Sequence, residues 1–355
     1  AIHNRTVALK LFYRYGRLTR PQLSQLMSLR RSSASNIVRE FMNQGLVRLQ
    51  DPDGRDGPGQ HNLLEINGNW GHAIGVGLGR EQAALCAVDA GGEVRATETC
   101  PIASIRELGG VVKDFARRQV DSGTVAGRLL AVGISVSGIV DSRQGIVRQS
   151  YELQLHDEPL GERIRSVIGV PVLVDNDAVL ATSAEADSRL AHERSDFIYL
   201  YPNFMRQGDT YMVWGMGSCL FLNGKLRRGS HGAAGELFRL PLPGPSISFT
   251  EADRLLLQSD TGTPSANLVQ LTKWIAPQLA FPVSFIDPQE VVVGGPLRWR
   301  NREVLEMLEQ DLNSLLMPIS NRRVRVTSAQ VMDEPAVLAA RIAREQRICE
   351  LVVET

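Results

Sequence analysis

Residues 229–236, GSHGAAGE, place three glycines before one carboxylate, that of Glu236. Glycine lets the backbone approach a ligand closely, and a fixed carboxylate accepts hydrogen bonds from two neighbouring hydroxyl groups. The segment therefore predicts a buried carboxylate at a site for a polyhydroxyl ligand. Phe238 and Arg239 follow it directly, and the sequence leaves open whether this is a working enzyme site or a pocket kept for binding alone.

Residues 30–45, RRSSASNIVREFMNQG, carry a different chemistry. Apolar residues recur at helical spacing, and the opposite face has short polar and guanidinium groups with no acid. In the major groove of DNA, Arg bonds guanine edges, Asn bonds adenine, and Ser bonds phosphate or base. The pattern predicts a helix whose polar face contacts DNA. Its apolar residues are Ala34, Ile37, Val38, Phe41 and Met42.

Two preceding helices are predicted to support this one. Asn4 caps the first, which ends near Gly16. Thr19 caps the second, with Gln22 at the capping-box position, and Gly45 stops the third. Two helices joined by a tight turn, the second polar outside, form a helix-turn-helix. The expected inner faces are Ala8, Leu11, Phe12 and Tyr15 in the first helix and Leu23, Leu26 and Met27 in the second.

Two short strands, LVRLQ and HNLLEIN, flank the Gly/Pro-rich segment DPDGRDGPGQ at residues 51–60. This is the pattern of a wing, and its tip residue Arg55 is expected to enter a minor groove. A three-helix protein-interaction domain with a solvated polar face is the alternative. The predicted DNA contacts are Thr19, Arg20, Arg30, Arg31, Ser32, Ser33, Ser35, Asn36, Arg39 and Arg55.

Charge is unevenly distributed along the chain. Residues 1–50 hold nine basic residues and one acid, Glu40, which gives a net charge of +8. The 355-residue chain is neutral as a whole, so the remainder carries −8. A small basic module joined to an acidic body favours a polyanion-binding head.

The cysteines and the hydropathy of the chain indicate in which cellular compartment the protein works. Four cysteines without CxxC spacing indicate a reducing compartment, no disulfide framework and no cysteine-based zinc site. No apolar run is long enough to span a bilayer, and the N-terminus lacks the features of a secretory signal. We expect a cytoplasmic, nucleoid-associated protein that does not bind membranes.

From about Gly71 onwards, strands and helices alternate. A β-meander is predicted in HAIGVGLG, AALCAVDA and GEVRATET, and PVLVDNDAVLATSAEAD predicts a strand followed by a helix that begins near Ala178. Two such halves predict an α/β body of two lobes with a cleft. Further strands are expected in LLAVGISVSGIV, at 197–201, 211–215 and 219–222, and in EVVVGG; helices are expected near 106–120, 266–279, 302–316 and 335–344.

Four segments, together with the helix-turn-helix, resemble the ROK family (repressors, open reading frames and kinases). They occur in the family's order and are GISVSGIVDSRQGIV, LVDNDAVLATSAE, GKLRRGSHGAAGE and DPQEVVVGG. The resemblance covers nearly the whole chain. It implies an N-terminal winged helix-turn-helix (α+β) followed by a two-lobed α/β fold of the actin-like/sugar-kinase type. In that fold a cleft binds a monosaccharide, and kinase members hold a nucleotide with glycine-rich hairpins.

The resemblance also implies a division of the chain. Residues 1–68 are expected to form the DNA-binding domain, 69–180 the first lobe and 181–332 the second, oligomerising lobe. Residues 333–355 are expected to form a C-terminal helix that returns to the first lobe. The body is expected to form a homodimer or tetramer, so that two heads meet two half-sites on DNA.

The groups for phosphoryl transfer depart from the family pattern. Asp177 stands where kinase members have their catalytic aspartate, although Asn176 and Asp177 can equally cap the following helix. Gly77 replaces the acid of the first hairpin, and Trp214 and Cys219 in WGMGSCLF replace a threonine and a glycine of the second. We therefore expect neither ATP nor a catalytic residue, and Asp177 is catalytic only if the chain is a kinase.

The sugar and zinc motifs are altered too. Arg239 stands in place of a histidine that helps to bind structural zinc, and the three cysteines that follow in the family are missing, so no metal is expected. Glu152 replaces a sugar-contacting asparagine. The exchange indicates either a changed ligand or an Arg–Glu salt bridge that closes an empty pocket. The resemblance implies effector contacts at Ser137, Gly138, Glu152, Asn176, Asp177, Glu236 and Arg239.

These observations predict a DNA-binding transcriptional regulator, a repressor, with a catalytically inactive sugar-kinase-like body. Its expected partners are double-stranded operator DNA and a sugar or sugar-derivative effector, with no cofactor. One alternative is an ATP-dependent hexose or amino-sugar kinase that retained a DNA-binding head. The other is a scaffold that binds DNA without sensing a ligand.

Overall fold

A computed structural model describes residues 2–50, 63–189, 196–237, 248–319, 322–332 and 334–353. The chain divides into two compact units. The first comprises Ala1–Asn176 and Pro335–Thr355, and the second comprises Asp177–Glu334. The chain therefore passes from one unit to the other at two points, after Asn176 and after Glu334.

The first unit begins with three helices, α1 (Ile2–Tyr15), α2 (Arg20–Leu26) and α3 (Arg31–Asn43). The capping box predicted for α2 is confirmed, because the hydroxyl of Thr19 accepts from the N–H of Gln22 while the Gln22 side chain accepts from the N–H of Thr19. Gly45 follows α3 with φ +70, as expected for a helix stop. The capping role predicted for Asn4 is wrong, since α1 already begins at Ile2.

The buried faces of α1 and α2 differ in part from the prediction. Ala8, Leu9 and Phe12 are buried in α1, whereas Tyr15 is 44% exposed. In α2, Leu26 is 43% exposed. A helix turns by about 100° per residue, so a buried stripe that includes Leu9 leaves Tyr15 near its edge.

Three short strands, β1 (Arg17–Leu18), β2 (Val47–Leu49) and β3 (Leu64–Ile66), form an antiparallel sheet in the order β1-β3-β2. Strands β2 and β3 correspond to the two strands predicted to flank the Gly/Pro-rich segment. That segment, with Arg55, lies outside the described residues. The helices and the sheet share one buried core.

The rest of the first unit before residue 177 contains a five-stranded mixed sheet with the predicted meander β4-β5-β6. The elements are β4 (Gly71–Leu78), β5 (Gln82–Asp89), β6 (Val94–Pro101), α4 (Leu108–Asp121), β7 (Arg128–Val136), β8 (Ile139–Asp141), β9 (Ile146–Ser150), β10 (Leu155–Glu158), α5 (Leu160–Ile168) and β11 (Val172–Asn176). The sheet order is β11-β7-β4-β5-β6, with β7 parallel to both β4 and β11. Strands β8 to β10 form a separate antiparallel sheet.

The second unit is also α/β. Its elements are α6 (Asp177–Arg189), β12 (Phe197–Gln207), β13 (Thr210–Leu222), β14 (Lys225–Arg227), β15 (Ser248–Thr250), α7 (Glu251–Gln258), α8 (Ala266–Ile286), β16 (Glu290–Val293), α9 (Arg302–Leu315) and β17 (Arg325–Ser328). The strands pair in the order β14-β13-β12-β16-β17, and β15 pairs with β13. Helices α8 and α9 pack on each other and contribute to one large core.

One hairpin of the second unit differs from the prediction. The strands expected at 211–215 and 219–222 are a single strand, β13, which pairs with β12 along most of its length. The turn of this hairpin lies at Gly208 and Asp209, not in WGMGSC. The segment with Gly215 and Gly217 is therefore strand backbone, whose groups facing β12 already form ladder hydrogen bonds.

The last helix, α10 (Pro335–Val353), belongs to the first unit and packs on β4, β5 and β7. Two glycines permit this contact, because a Cβ at Gly75 would collide with the carbonyl oxygen of Ala336 and one at Gly133 with that of Ala339. The helix continues well beyond its predicted end near residue 344.

The core of the N-terminal helices continues into the rest of the first unit. Leu9 and Phe12 of α1 share a buried cluster with Leu130 of β7 and with Ile348 and Val352 of α10. The N-terminal module is thus packed against the body and its last helix. Across the described residues, no helix combines the length and the apolar character needed to cross a membrane.

Candidate functional site

The outward face of α3 carries the predicted DNA-contacting residues. Arg31, Ser32, Ser33, Asn36 and Arg39 are exposed, whereas Ser35 is partly buried. The opposite face packs into the core through Ala34, Ile37, Val38 and Phe41, as the periodicity predicted.

The electrostatics of this face are positive. The acid of the first 50 residues, Glu40, is held by Arg5, whose Nε donates to its carboxylate at 3.0 Å. Arg39 donates through Nη2 to the side-chain oxygen of Asn36, so these two predicted base-contacting groups are joined in the structure. The first turn of α3 holds no acid, and a helix N-terminus with free N–H groups favours a phosphate.

Three further predicted DNA contacts lie outside α3. Arg30 is exposed at the N-cap of α3. Arg20 is partly buried, and its Nη2 lies 3.3 Å from the sulfur of Met42. Thr19 uses its hydroxyl in the capping box of α2, so its hydroxyl is already engaged in the helix cap.

The predicted effector residues of the first unit form a local hydrogen-bonded group. Asn176, the last residue of β11, donates through Nδ2 to the carbonyl of Gly138 at 2.8 Å. Glu152 is partly buried, and burial raises the pKa of its carboxyl group, while a hydrogen bond with Ser137 opposes that rise. The carboxyl group and the amide together offer donors and acceptors suited to hydroxyl groups.

Asp177 is the first residue of α6 in the second unit. Its Oδ1 accepts from the backbone N–H of Ala178 at 2.8 Å. A helix cap instead accepts from the N–H two or three residues further along, so the predicted capping role of Asn176 and Asp177 stays a prediction.

The glycine loop before Glu236 is anchored to β13. Ser218 donates from Oγ to the carbonyl of Gly235 at 2.6 Å, and Gly235 has φ +97 with no room for a Cβ beside Ser218. Glu236 itself is exposed, so the prediction of a buried carboxylate is wrong, although nearby atoms desolvate the group and raise its pKa. Phe238 and Arg239 lie outside the described residues, so their predicted roles stay predictions.

Two residues that replace the family's nucleotide-binding groups lie in strands. Gly77 lies within β4, paired with Ala84 and Ser135 on the neighbouring strands. Cys219 is fully buried in β13 opposite Tyr199. Among the residues that the structure describes, no cluster of His, Cys, Asp or Glu has the arrangement of a metal site.

Sequence reasoning missed one ionic cluster, in which Arg17, Glu65 and Arg48 lie side by side on β1, β3 and β2. Glu65 accepts from Nε of both arginines. The alternation of β3, Leu64–Glu65–Ile66, predicts that Glu65 faces away from the core, but only the strand pairing shows its partners.

Comparison with solved structures shows which fold the chain has. A ROK family transcriptional regulator, described as a homologue of the E. coli MLC protein, superposes with a TM-score of 0.71 at 19% identity over all of both chains. A ROK hexokinase from Thermus thermophilus superposes with a TM-score of 0.54 at 22% identity, over 77% of this chain and 97% of its own. The chain therefore has the α/β fold shared by sugar kinases and regulators of this type.

A family model matches the middle of the chain. Residues 73–243 match the model of the ROK family, so the chain carries a ROK family domain, as its motifs predicted.

Curated relatives include both regulators and enzymes. The xylose repressor of Caldicellulosiruptor bescii is 26% identical over 238 residues, which cover 66% of this chain and 57% of the repressor. The E. coli DNA-binding transcriptional dual regulator NagC is 24% identical over 244 residues, with 66% and 56% coverage. The glucokinase of Streptomyces coelicolor is 24% identical over 324 residues, with 78% and 98% coverage. The chain thus spans little more than half the length of the repressors that it matches.

Proposed function

We propose that this chain is a DNA-binding transcriptional regulator of the ROK family that acts as a repressor. In this proposal residues 1–68 are a winged helix-turn-helix, α3 enters the major groove and the segment between β2 and β3 is the wing. The regulator-like superposition over the whole chain supports the proposal, as do the names of the repressor relatives.

The observation that carries the proposal is the exposed face of α3. Arg31, Asn36 and Arg39 stand out from a helix whose other face is buried, and the neighbouring acid is neutralised by Arg5. A helix with this arrangement supplies both phosphate contacts and bidentate base contacts. A face that binds another protein does not need to consist only of arginines and short polar side chains.

The test is selection of a binding site from random DNA with the full chain, followed by affinity measurements on Arg31→Ala and Asn36→Ala. Each lost bidentate contact should weaken specific binding by about 1–3 kcal/mol. Arg117→Ala is the matched control, since Arg117 is an exposed arginine on α4. Unchanged affinity in the two α3 variants would refute the assignment of α3.

In the same proposal the body binds a sugar or sugar derivative and has no catalytic activity. Its proposed contacts stay those predicted from the sequence, among them Glu152, Asn176, Asp177 and Glu236, and Asn176 and Glu152 are the ones with the polar surroundings described above. A thermal-shift screen with hexoses, pentoses and amino sugars tests the binding. An effector should raise the melting temperature of the wild type and lose much of that effect in Glu152→Ala.

A sugar kinase is the second candidate, because the glucokinase relative aligns over nearly all of its own length. The strand pairing of Gly77 and Cys219 favours the inactive body, since neither residue lies in a phosphate-cradling turn. A coupled assay for ADP formation with ATP and a panel of sugars separates the two. Turnover with any sugar would refute the proposed inactivity.

The proposed regulator works in the cytoplasm without a metal or nucleotide cofactor, as a homodimer or tetramer. Two heads are needed to hold two half-sites of an operator. Light scattering on the purified chain tests the assembly, and elemental analysis should find less than stoichiometric zinc.

A further inference from the structure

A groove of about 400 Å³ lies inside the first unit, between the β1-β3-β2 sheet and the turn that joins β5 to β6. None of its lining residues belongs to the proposed DNA-contacting set or to the proposed effector group. Both walls carry charged side chains, and the apolar edge is formed by Phe12 and Ile66. Its volume is in the range of small-molecule sites.

The first wall is the outer face of the N-terminal sheet. Arg17, Glu65 and Arg48 are direct neighbours on three adjacent strands, so their side chains share one face. Arg48 donates to Oε1 of Glu65 from Nε at 3.0 Å and from Nη2 at 2.9 Å, and Arg17 donates from Nε to Oε2 at 3.3 Å. One carboxylate is thus shared by two guanidinium groups.

The second wall is built on Asp89, which is only 4% exposed. Its Oδ1 accepts from the N–H groups of Gly92 at 2.9 Å and Glu93 at 3.1 Å. Its Oδ2 accepts from Nε of Arg95 at 2.7 Å, and Nη2 of Arg95 pairs with the same oxygen. Asp89 therefore holds Arg95 at the groove, where the arginine is about half exposed.

Most of the polar groups on these walls that have no partner are N–H donors. Both oxygens of Glu65 and of Asp89 are occupied, whereas Arg17 keeps both Nη groups, and Arg48 and Arg95 each keep Nη1, without a partner among the described residues. Glu93 also lines the groove, with an exposed carboxylate at its rim. Three partly exposed guanidinium groups with spare donors suit an acceptor-rich occupant.

We propose that this groove binds an oxyanion, specifically the phosphate group of a small phosphorylated molecule. Guanidinium groups match phosphate oxygens with paired N–H donors, and Arg17, Arg48 and Arg95 supply them from both walls. The occupant bridges the N-terminal module and the body, so it stabilises the module in its observed position. A phosphate of the DNA backbone has the same chemistry, and the experiment separates the two sources.

The test is isothermal titration of the full chain with inorganic phosphate, glucose 6-phosphate and glucose. The two phosphate-bearing probes should bind and glucose should not bind at this groove. Arg48→Gln and Arg95→Gln should each weaken phosphate binding by about tenfold or more, because each loses a charge-assisted contact. Arg117→Gln is the matched control, since this exposed arginine pairs with Asp114 on α4 and should bind as the wild type does.

Arg95→Lys is the control for correct folding of the variants. It keeps the positive charge but loses the planar guanidinium group. Its affinity should fall between those of the wild type and Arg95→Gln, with an unchanged melting temperature. A short non-specific duplex provides the second arm. If only the duplex binds, and Arg48→Gln and Arg95→Gln weaken it equally, the oxyanion is the DNA backbone and the proposal of a small phosphorylated ligand is overturned. Phosphate binding that is equal in all variants, or no binding of any phosphate-bearing probe, overturns the proposal.

Discussion

The guanidinium of Arg344 lies over the ring of Tyr13, 4.2 Å from the ring centroid, and so joins α10 to α1. Arg344 is 4% exposed, and its Nε and Nη1 have no hydrogen-bond partner among the described residues. Burial raises the pKa of the Tyr13 hydroxyl well above its ordinary value, although the charge of Arg344 opposes that rise. The phenol group therefore stays neutral. The pair connects the last helix of the chain to the first helix of the proposed DNA-binding module.

Arg344→Ala should therefore loosen the N-terminal module. Loss of a desolvated cation–π contact and of the buried side-chain stem should lower the free energy of unfolding by about 2 kcal/mol. Tyr13→Phe is the matched control, because it keeps the ring and removes only a buried hydroxyl that makes no well-formed hydrogen bond within the described part of the chain. Denaturant titration measures both variants. An equal loss in both would contradict a role for the ring face.

The packing of α10 on the sheet should be intolerant of even one methyl group. Gly133→Ala places a Cβ against the carbonyl oxygen of Ala339, so α10 must shift and we expect a loss of roughly 1–3 kcal/mol. Gly110→Ala is the control, since Gly110 lies in α4 with nothing near its Cβ position, and alanine favours a helix. Thermal melts should show a lower Tm for the first and an equal or higher Tm for the second.

The sequence predicted this architecture better than its sites. Periodicity identified α3, the meander β4-β5-β6 and the junction of β11 with α6, because each has a regular apolar pattern and clear boundaries. It divided β13 wrongly, because Gly215 and Gly217 suggest a turn, whereas the pairing with β12 keeps them in a strand. The periodicity also predicted that α8 ends near residue 279. The helix instead continues through Pro282, and Val283 is buried.

Site prediction from the sequence failed where pairing between distant strands decides which side chains meet. Glu65 lies 48 residues from Arg17, and only the register of β1 with β3 brings their side chains together. Burial of Glu236 was inferred from the surrounding glycines, but Gly235 serves the close approach of the loop to Ser218. Short-range patterns report helices and strands, and they carry little information on which side chains meet.

The raised pKa of Glu152 predicts a pH dependence of stability. A carboxyl group whose pKa is higher in the folded state holds its proton longer there, so folding loses stability as the pH rises above the ordinary value of 4.5. Glu152→Gln imitates the protonated form. The variant should be more stable than the wild type at pH 7, and the difference should shrink towards pH 4.

Thermal melts across that range measure the effect, with Glu162→Gln, an exposed carboxylate on α5, as the control. A stability difference that is constant with pH would show that Glu152 acts through shape and not through its charge.

Asp177→Asn separates a helix cap from a catalytic base. The side-chain oxygen of asparagine accepts from the N–H of Ala178 as the carboxylate does, so this contact at the start of α6 should remain and the stability should change by only a few tenths of a kcal/mol. Affinity for the selected DNA site should stay within about twofold of the wild type, because Asp177 is not on the DNA-contacting face. Asp177→Ala, which loses this hydrogen-bond acceptor, should lower the free energy of unfolding by about 1 kcal/mol. If the wild type instead phosphorylates a sugar and Asp177→Asn abolishes that turnover while remaining folded, the carboxylate is a general base and the regulator proposal loses its inactive body.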